Sequence, residues 1–330
     1  EVLHRLDPEA YEARRHWALR RIGRSAYYAP YFMYSLHIDL ACKLQQYGIY
    51  VGAVLDGDSR KCLRLTALTD KLPVTIYDKL FEPVTREFGL PDQLVSDKGN
   101  EWRIAAFTCL LAAAGAGFMR RAHRFVQSKR NVSALRPSPC LAHLVDTSCS
   151  CAPWQTVVER FNYEVNMRVL VPLRRLINYL ERRGLLDRHV PAHVHAFAAI
   201  TQPLVQYGCD LLLASWNEHK RSSVRYRGRT LEGSGGIPNA RMAERPHPGG
   251  QLWLARGFDG VVEYERASGV QQVRQSEAQE ADRTHCRHRR RRDAHIAYII
   301  GDVEDMWVRM HRRAFARMAH AFAVYLRYYG

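Results

Sequence analysis

The sequence predicts an α/β protein with a mixed central sheet flanked by helices. Three observations carry this. Residues 48–55 read Gly-Ile-Tyr-Val-Gly-Ala-Val-Leu, a nearly unbroken apolar run of the kind found in a strand covered on both faces. A short polar connection joins this run to an earlier strand over 34–40, and the turn Asp56-Gly57-Asp58-Ser59 joins it to a third over 61–68. Apolar residues at helical spacing then separate these strands from a short one just before Asp97, the strand-helix-strand order a parallel pairing requires.

Ahead of the first strand, residues 1–22 read as a charged helix with Pro8 near its start and Trp17, Leu19 and Ile22 as sparse apolar positions. Its Arg14-Arg15 and Arg20-Arg21 pairs either touch phosphates or form a solvated face. Residues 23–33 form an extended lead-in. The span assigned to the first strand puts Asp39 near its end. An acid there must be paired, hydrogen-bonded or coordinated to a cation, and Lys43 and Arg60 are the nearby bases.

Val74, Tyr77, Leu80, Phe81, Val84 and Phe88 recur at helical spacing, with Pro73 suited to the first turn. Pro83 should kink this crossover helix, Gly89 end it and Pro91 prevent its resumption. The strand that follows delivers Asp97. A helix over 101–114 comes next, with Ile104, Phe107, Cys109, Leu110 and Leu111 facing the core and Gly115 as its cap. Glu101, at its start, either favours the helix dipole or supports a bound cation's water.

Arg120, Arg121, Arg124, Lys129 and Arg130 lead into residues 133–153, a stretch rich in Ser, Pro and Cys that shows no helical or strand period. Periodicity returns at Thr156, where Val158, Phe161, Val165, Val169, Leu173 and Ile177 line one helical face. Glu159 lies about 100° around from Val158 and can face the sheet edge. Arg160, Asn162, Tyr163 and Arg168 are expected to point elsewhere. Pro172 should bend this helix and Gly184 end it. A further helical region over 193–216 closes on Trp216-Asn217-Glu218-His219, read as packing that helix against the sheet. After an exposed basic connection, residues 251–264 could hold two strands. Arg289, Arg290, Arg291 and Arg292 form a basic tail suited to phosphate contact. Residues 294–329 read as one long helix or a helix pair, a possible dimerisation element.

A chain of 330 residues exceeds one typical domain and can bury a sizeable core. Its formal charge of +16 favours a polyanionic partner, nucleic acid ahead of an anionic membrane. No apolar run approaches the roughly 20 residues of a membrane span. The eight cysteines form no Cys-x-x-Cys pair, and several sit in apolar segments, which fits an intracellular, reducing setting and gives no structural zinc. Because the sequence opens on Glu1 rather than Met, a fragment is a possible reading and a leader peptide stays open.

Four short motifs occur in order: His37-Ile38-Asp39, Asp56-Gly57-Asp58-Ser59-Arg60, Ser96-Asp97-Lys98-Gly99-Asn100-Glu101 and Val158-Glu159-Arg160. This order resembles the integrase core domain of retroviruses and retrotransposons, and more closely the transposon-derived integrase-core proteins of eukaryotes. The likeness runs from about Arg20 to about His219, the closing tetrad resembling the family's Trp-Asn-x-His. It implies a ribonuclease H-like fold over 34–230, with a basic arm at 1–33, a loop insertion at about 126–153 and an extension over 231–330. It further implies a catalytic, metal-binding triad of Asp39, Asp97 and Glu159, with Asp56 and Glu101 in support. DNA contacts would fall to Lys43, Arg60, Lys98 and Arg160 and, beyond the reach of the likeness, to Arg289 and Arg290 of the basic tail.

The chemistry implied is phosphoryl transfer on DNA with two Mg²⁺ or Mn²⁺ ions, in end processing and strand transfer. A homo-oligomer and a nuclear or intracellular site go with it. Two alternatives stay open: a decayed or domesticated core that binds nucleic acid without activity, and a ribonuclease H-like nuclease. The intact triad favours the transferase. The 126–153 insertion before Glu159, and the lack of a zinc module, favour the decayed core.

Overall fold

The computed structural model describes residues 29–97, 99–116, 123–125, 145–146, 156–219, 258–275, 279–280, 282 and 288–328. The arm at 1–28, Lys98, nearly all of 126–153 and the connection over 220–257 lie outside the described residues.

Among the described residues the strands form one six-stranded sheet in the order β3-β2-β1-β4-β5-β6. Strands β1 (Ser35–Leu44), β2 (Ile49–Asp56) and β3 (Cys62–Leu68) make an antiparallel meander. β4 (Gln93–Ser96) pairs parallel with β1, and the short β5 (His123–Phe125) and β6 (Val145–Asp146) extend the parallel half. β6 falls within 133–153, where the sequence shows no strand period. Pairings only two or three residues long leave no period to read.

Side chains alternate across this sheet and feed two cores. Leu36, Ile38, Leu40, Val54 and Leu68 face one side, where helix α1 (73–88) and helix α2 (Arg103–Ala116) cover them. Ala41, Val51, Ala53, Leu55 and Leu65 face the other, under helices α3 (156–182) and α4 (Pro191–Asn217). His37 and Asp39 alternate with Leu36, Ile38 and Leu40, so they belong to the α3 side. The architecture is α/β, a mixed central sheet flanked by helices.

Helix α1 runs through Pro73–Ile76, a π-helical turn at Tyr77–Phe81 and Glu82–Phe88. The wide turn sits just before Pro83, whose missing N–H frees the carbonyl four residues back. That carbonyl, of Lys79, accepts from Arg64 Nε on β3 at 3.2 Å. Helix α3 repeats the device, with Thr156–Val165, a π-helical turn at Asn166–Leu170 and then Val171–Arg182, which begins with Pro172 near its first turn. All six apolar positions predicted for its inner face are buried, each burial contributing about 1.5–3 kcal/mol.

Helix α4 closes the open edge of β3 with side-chain amides. Asn217 accepts from Cys62 N and donates to Cys62 O, both at 2.9 Å, while Gln206 accepts from Ala67 N at 2.9 Å and donates to Leu65 O at 3.3 Å. Trp216 Nε1 donates to Arg60 O at 3.1 Å and its ring packs edge-on against Phe161. Both members of the predicted Trp-Asn pair therefore fasten α4 to the sheet, as an edge strand requires.

The C-terminal part departs from expectation twice. Residues 260–268, within and beyond the stretch expected as strands, form helix α5 (Gly260–Ser268), while 251–257 lie outside the described residues. Asp259 caps it by accepting from Val261 N and Val262 N, which outweighs the β-preference of the two valines. Residues 289–327 hold three helices, α6 (Arg289–Ile300), α7 (Val303–His311) and α8 (Ala316–Arg327), rather than one or two. Their apolar faces, with Ile296, Trp307, Met310, Phe322 and Tyr325, join the core of α3 and α4 within the same chain. Nor are all four arginines a solvated tail: Arg292 is buried, paired with Asp282 and set under the Tyr325 ring at 4.1 Å.

Candidate active site

Asp39 stands in the middle of β1, not at its end as the sequence reading had it. The antiparallel partner carries β1 onward, through Leu40↔Gly52 and Ala41↔Val51 to Leu44↔Ile49. On its other side the parallel pairing stops at His37↔Val95. Extending that register by two residues sets Asp97, which follows the last residue of β4, beside Asp39 and on the same face. Both aspartates thus lie in the notch that opens where β4 ends.

Asp39 Oδ1 accepts from its neighbour's amide, Leu40 N, at 2.9 Å, and Oδ2 accepts from Asn162 Nδ2 on α3 at 2.6 Å. Burial raises the Asp39 carboxyl to about 7, and the charges of Asp97 and Glu159 add to the rise. The Leu40 and Asn162 hydrogen bonds oppose it. Asp97 Oδ1 accepts from the indole Nε1 of buried Trp102 at 2.5 Å. Glu159 lies exposed in the first turn of α3, where a carboxylate suits the helix dipole. The fold therefore brings Asp97 and Glu159 close enough for their charges to bear on Asp39.

Glu101 shares this neighbourhood. Cys42, further along β1, is pushed up to about 11 by burial, opposed by Lys71 and reinforced by Asp39, Glu101 and Asp97. Asn100–Trp102 form a 3₁₀ turn ahead of α2, so Glu101 precedes the helix proper, and Gly115 lies inside it instead of capping it.

Asp56 has other duties. Its oxygens accept from Met33 N at 2.7 Å, Ser59 N at 2.6 Å and Ser59 Oγ at 2.7 Å, which holds the Asp-Gly-x-Ser turn and the lead-in together. Burial still pushes it up to about 6. Its register partner is Leu36, three residues before Asp39, so the structure does not join it to the acid group.

The predicted basic residues are dispersed. Lys43 is exposed, and Arg160 pairs with Glu164 at 2.8 Å while lying over the Tyr163 ring. Arg60 is half-buried with a positive φ, and its charge helps burial lower His37 to about 3. Arg289 and Arg290 sit on α6, Arg289 3.6 Å from Asp282. Lys98 lies outside the described residues.

Two contributors were missed by sequence reasoning. Asn162, expected to point away, lies three residues beyond Glu159 and so shares its side of the helix. Trp102 follows Asp97 by five residues and reaches back to it.

A divalent cation can be tested against these groups. Among the described residues no three His, Cys, Asp or Glu side chains stand close enough to enclose one. The donor chemistry nonetheless fits a hard cation, being carboxylate and amide oxygen. Asn162 Oδ1, on the amide that holds Asp39, is buried with no hydrogen-bond partner among the described residues. A cation or its bound water would satisfy it.

No protein-family model matches the chain, and no curated protein matches it. Among solved structures it is similar to the HTLV-2 integrase catalytic core domain in complex with magnesium, in a trimeric form. That likeness has 12% identity and a TM-score of 0.32 and covers 63% of this chain and 99% of that one. It is also similar to a chain of the simian T-cell lymphotropic virus intasome in complex with the PP2A regulatory subunit B56 gamma. Here identity is 12% and the TM-score 0.33, with 72% of this chain and 70% of that one covered.

Proposed function

We propose that this protein is an integrase-type polynucleotidyl transferase core acting on DNA, with Asp39, Asp97 and Glu159 as the residues that would hold two Mg²⁺ or Mn²⁺ ions. One observation supports the reading: the strand register sets Asp97 beside Asp39, and the charges of Asp97 and of Glu159 on α3 add to the burial that raises Asp39 to about 7. Such a gathering of like charge is unfavourable in itself and is relieved by a cation. Bound ions of this kind stabilise the attacking and leaving oxygens of an in-line displacement at phosphorus.

The chain's own residues prepare the site. Leu40 N–H and Asn162 aim the Asp39 carboxylate, and Trp102 aims Asp97. Asp39 would give up its proton to a bound cation, so binding would release protons near neutral pH. Glu101 supports the site from the start of α2, and Lys43, Arg60, Lys98, Arg160, Arg289 and Arg290 serve the phosphates. A homo-oligomer is part of the reading. So is a nuclear or other intracellular setting, in keeping with the free thiols of Cys42, Cys62, Cys109 and Cys209. No helix among the described residues is long and apolar enough to cross a membrane.

A second reading, a core that binds nucleic acid without catalysis, draws on Asp97 being engaged by Trp102 and on the spread of the acids. Calorimetric titration with Mg²⁺ or Mn²⁺, and thermal melting, separate the two in wild type and Asp97→Asn. Saturable binding of two ions with a rise in Tm, lost in the variant, supports the transferase. No response from either protein rejects it in favour of the second reading.

A further inference from the structure

Helix α6 carries positive charge where a helix tolerates it least. Its first four residues are arginines, in the turn where the macrodipole disfavours cations, and His288 before them makes no capping hydrogen bond. Two of the four have a reason within the fold. Arg292 is buried against Asp282 and Tyr325, and Arg289 lies near Asp282 and Asp293. Arg290 and Arg291 are exposed, and neither makes an ion pair with an acid among the described residues.

Helical spacing puts Arg290, Arg291, Ala294, Ala297 and Tyr298 on the face opposite the buried Arg292, Ile296 and Ile300. Tyr298 is 86% exposed, the most exposed of the large hydrophobic side chains on the described surface. The two alanines beside it leave its ring open to approach. An exposed aromatic ring flanked by exposed arginines, on a chain of charge +16, matches the stacking-plus-phosphate chemistry of single-strand binding. In a duplex the bases already stack on one another, so an upright tyrosine meets no free face.

We infer that the outer face of α6 is a platform for an unpaired nucleic-acid strand, on which Tyr298 stacks a base and Arg290 and Arg291 take the adjoining phosphates. This deepens the proposed function and rests on it for the choice of nucleic acid as partner. It does not depend on the acid site.

The test is fluorescence anisotropy of the full chain with a labelled oligothymidylate of about 20 nucleotides, long enough for a single-strand site, in EDTA. Tyr298→Ala should bind about 5- to 150-fold more weakly, the loss of one stacked base, while Tyr298→Phe binds like wild type. Removing both arginines as Arg290→Ala/Arg291→Ala should flatten the salt dependence by about 1.4, at about 0.7 per phosphate contact. Because the anisotropy is read in EDTA, with no cation at the acid site, failure of the acid site and failure of the platform are told apart. Unchanged binding in Tyr298→Ala would overturn the inference, as would an equal loss on a labelled duplex. So would displacement of the strand by poly-glutamate at matched charge, which would make the face a docking site for acidic protein.

Discussion

Asn162 Nδ2 donates to Asp39 Oδ2 at 2.6 Å, so a residue on the first turns of α3 holds the carboxylate at the centre of β1. A hydrogen bond to the charged form of an acid favours that form. Asn162→Ala should therefore raise Asp39 further above its value of about 7, by about one pH unit for one charge-assisted bond at a half-buried site. Asn162→Asp, which adds a fourth acid, should raise it more. Side-chain carboxyl NMR titration reads both; an Asp39 midpoint that stays put in both variants contradicts the assignment.

The raised Asp39 carboxyl also shapes stability against pH. Its folded value of about 7 stands above the 3.8 of an unperturbed aspartate, so between pH 4 and 7 the folded protein keeps a proton that the unfolded chain has lost. Stability from this group is therefore full below pH 4, falls as pH rises to 7 and levels off beyond. Asp39→Asn cannot ionise and should escape that fall. Its gain over wild type should grow across the window to at most about 4 kcal/mol at pH 8. Asp56, raised to about 6, acts with the same sign and His37, lowered to about 3, with the opposite one, but both are common to the two proteins and cancel in the difference. Urea unfolding at several pH values measures it, and a constant difference from pH 4 to 8 would falsify the account.

Where local pattern and tertiary packing agree, the sequence reading holds. The inner face of α3, from Val158 to Ile177, follows from spacing alone, because one apolar stripe must meet one core. Trp216 and Asn217 were legible as the fastening of α4. Asp39 was misplaced along its strand because nothing in Ala41-Cys42-Lys43-Leu44 announces that β2 will go on pairing with it. Asn162 looked like a residue of the outer face because its bond crosses from helix to sheet, a distance no spacing rule reports. Arg292 looked like part of a solvated tail for a similar reason: its partners Asp282 and Tyr325 meet it only in the folded chain.

Asn217 satisfies both backbone groups of Cys62 on an edge strand and is itself buried. Asn217→Ala leaves a buried N–H and a buried C=O without partners, and should destabilise by about 2–4 kcal/mol. Asn217→Asp keeps the acceptor but loses the donor to Cys62 O and adds a buried charge, so it should be no better. Chemical denaturation decides the point; a loss under about 0.5 kcal/mol would mean that water replaces the amide.

Gly208 on α4 meets the Trp307 indole of α7 so closely that a Cβ at residue 208 would lie 2.3 Å from the ring. This contact seats the C-terminal helices on the core. Gly208→Ala should push the indole aside and cost about 1–3 kcal/mol, the usual range for overpacking. Trp307→Ala should cost about 3–5 kcal/mol, since it removes a large buried side chain and leaves a void. In the double variant the new methyl at 208 occupies part of that void and has nothing to clash with. Its loss should fall short of the sum of the single losses by about 1–3 kcal/mol. Urea denaturation of the four proteins gives the coupling directly, and single losses that add to within about 0.5 kcal/mol would show that the two residues do not bear on each other.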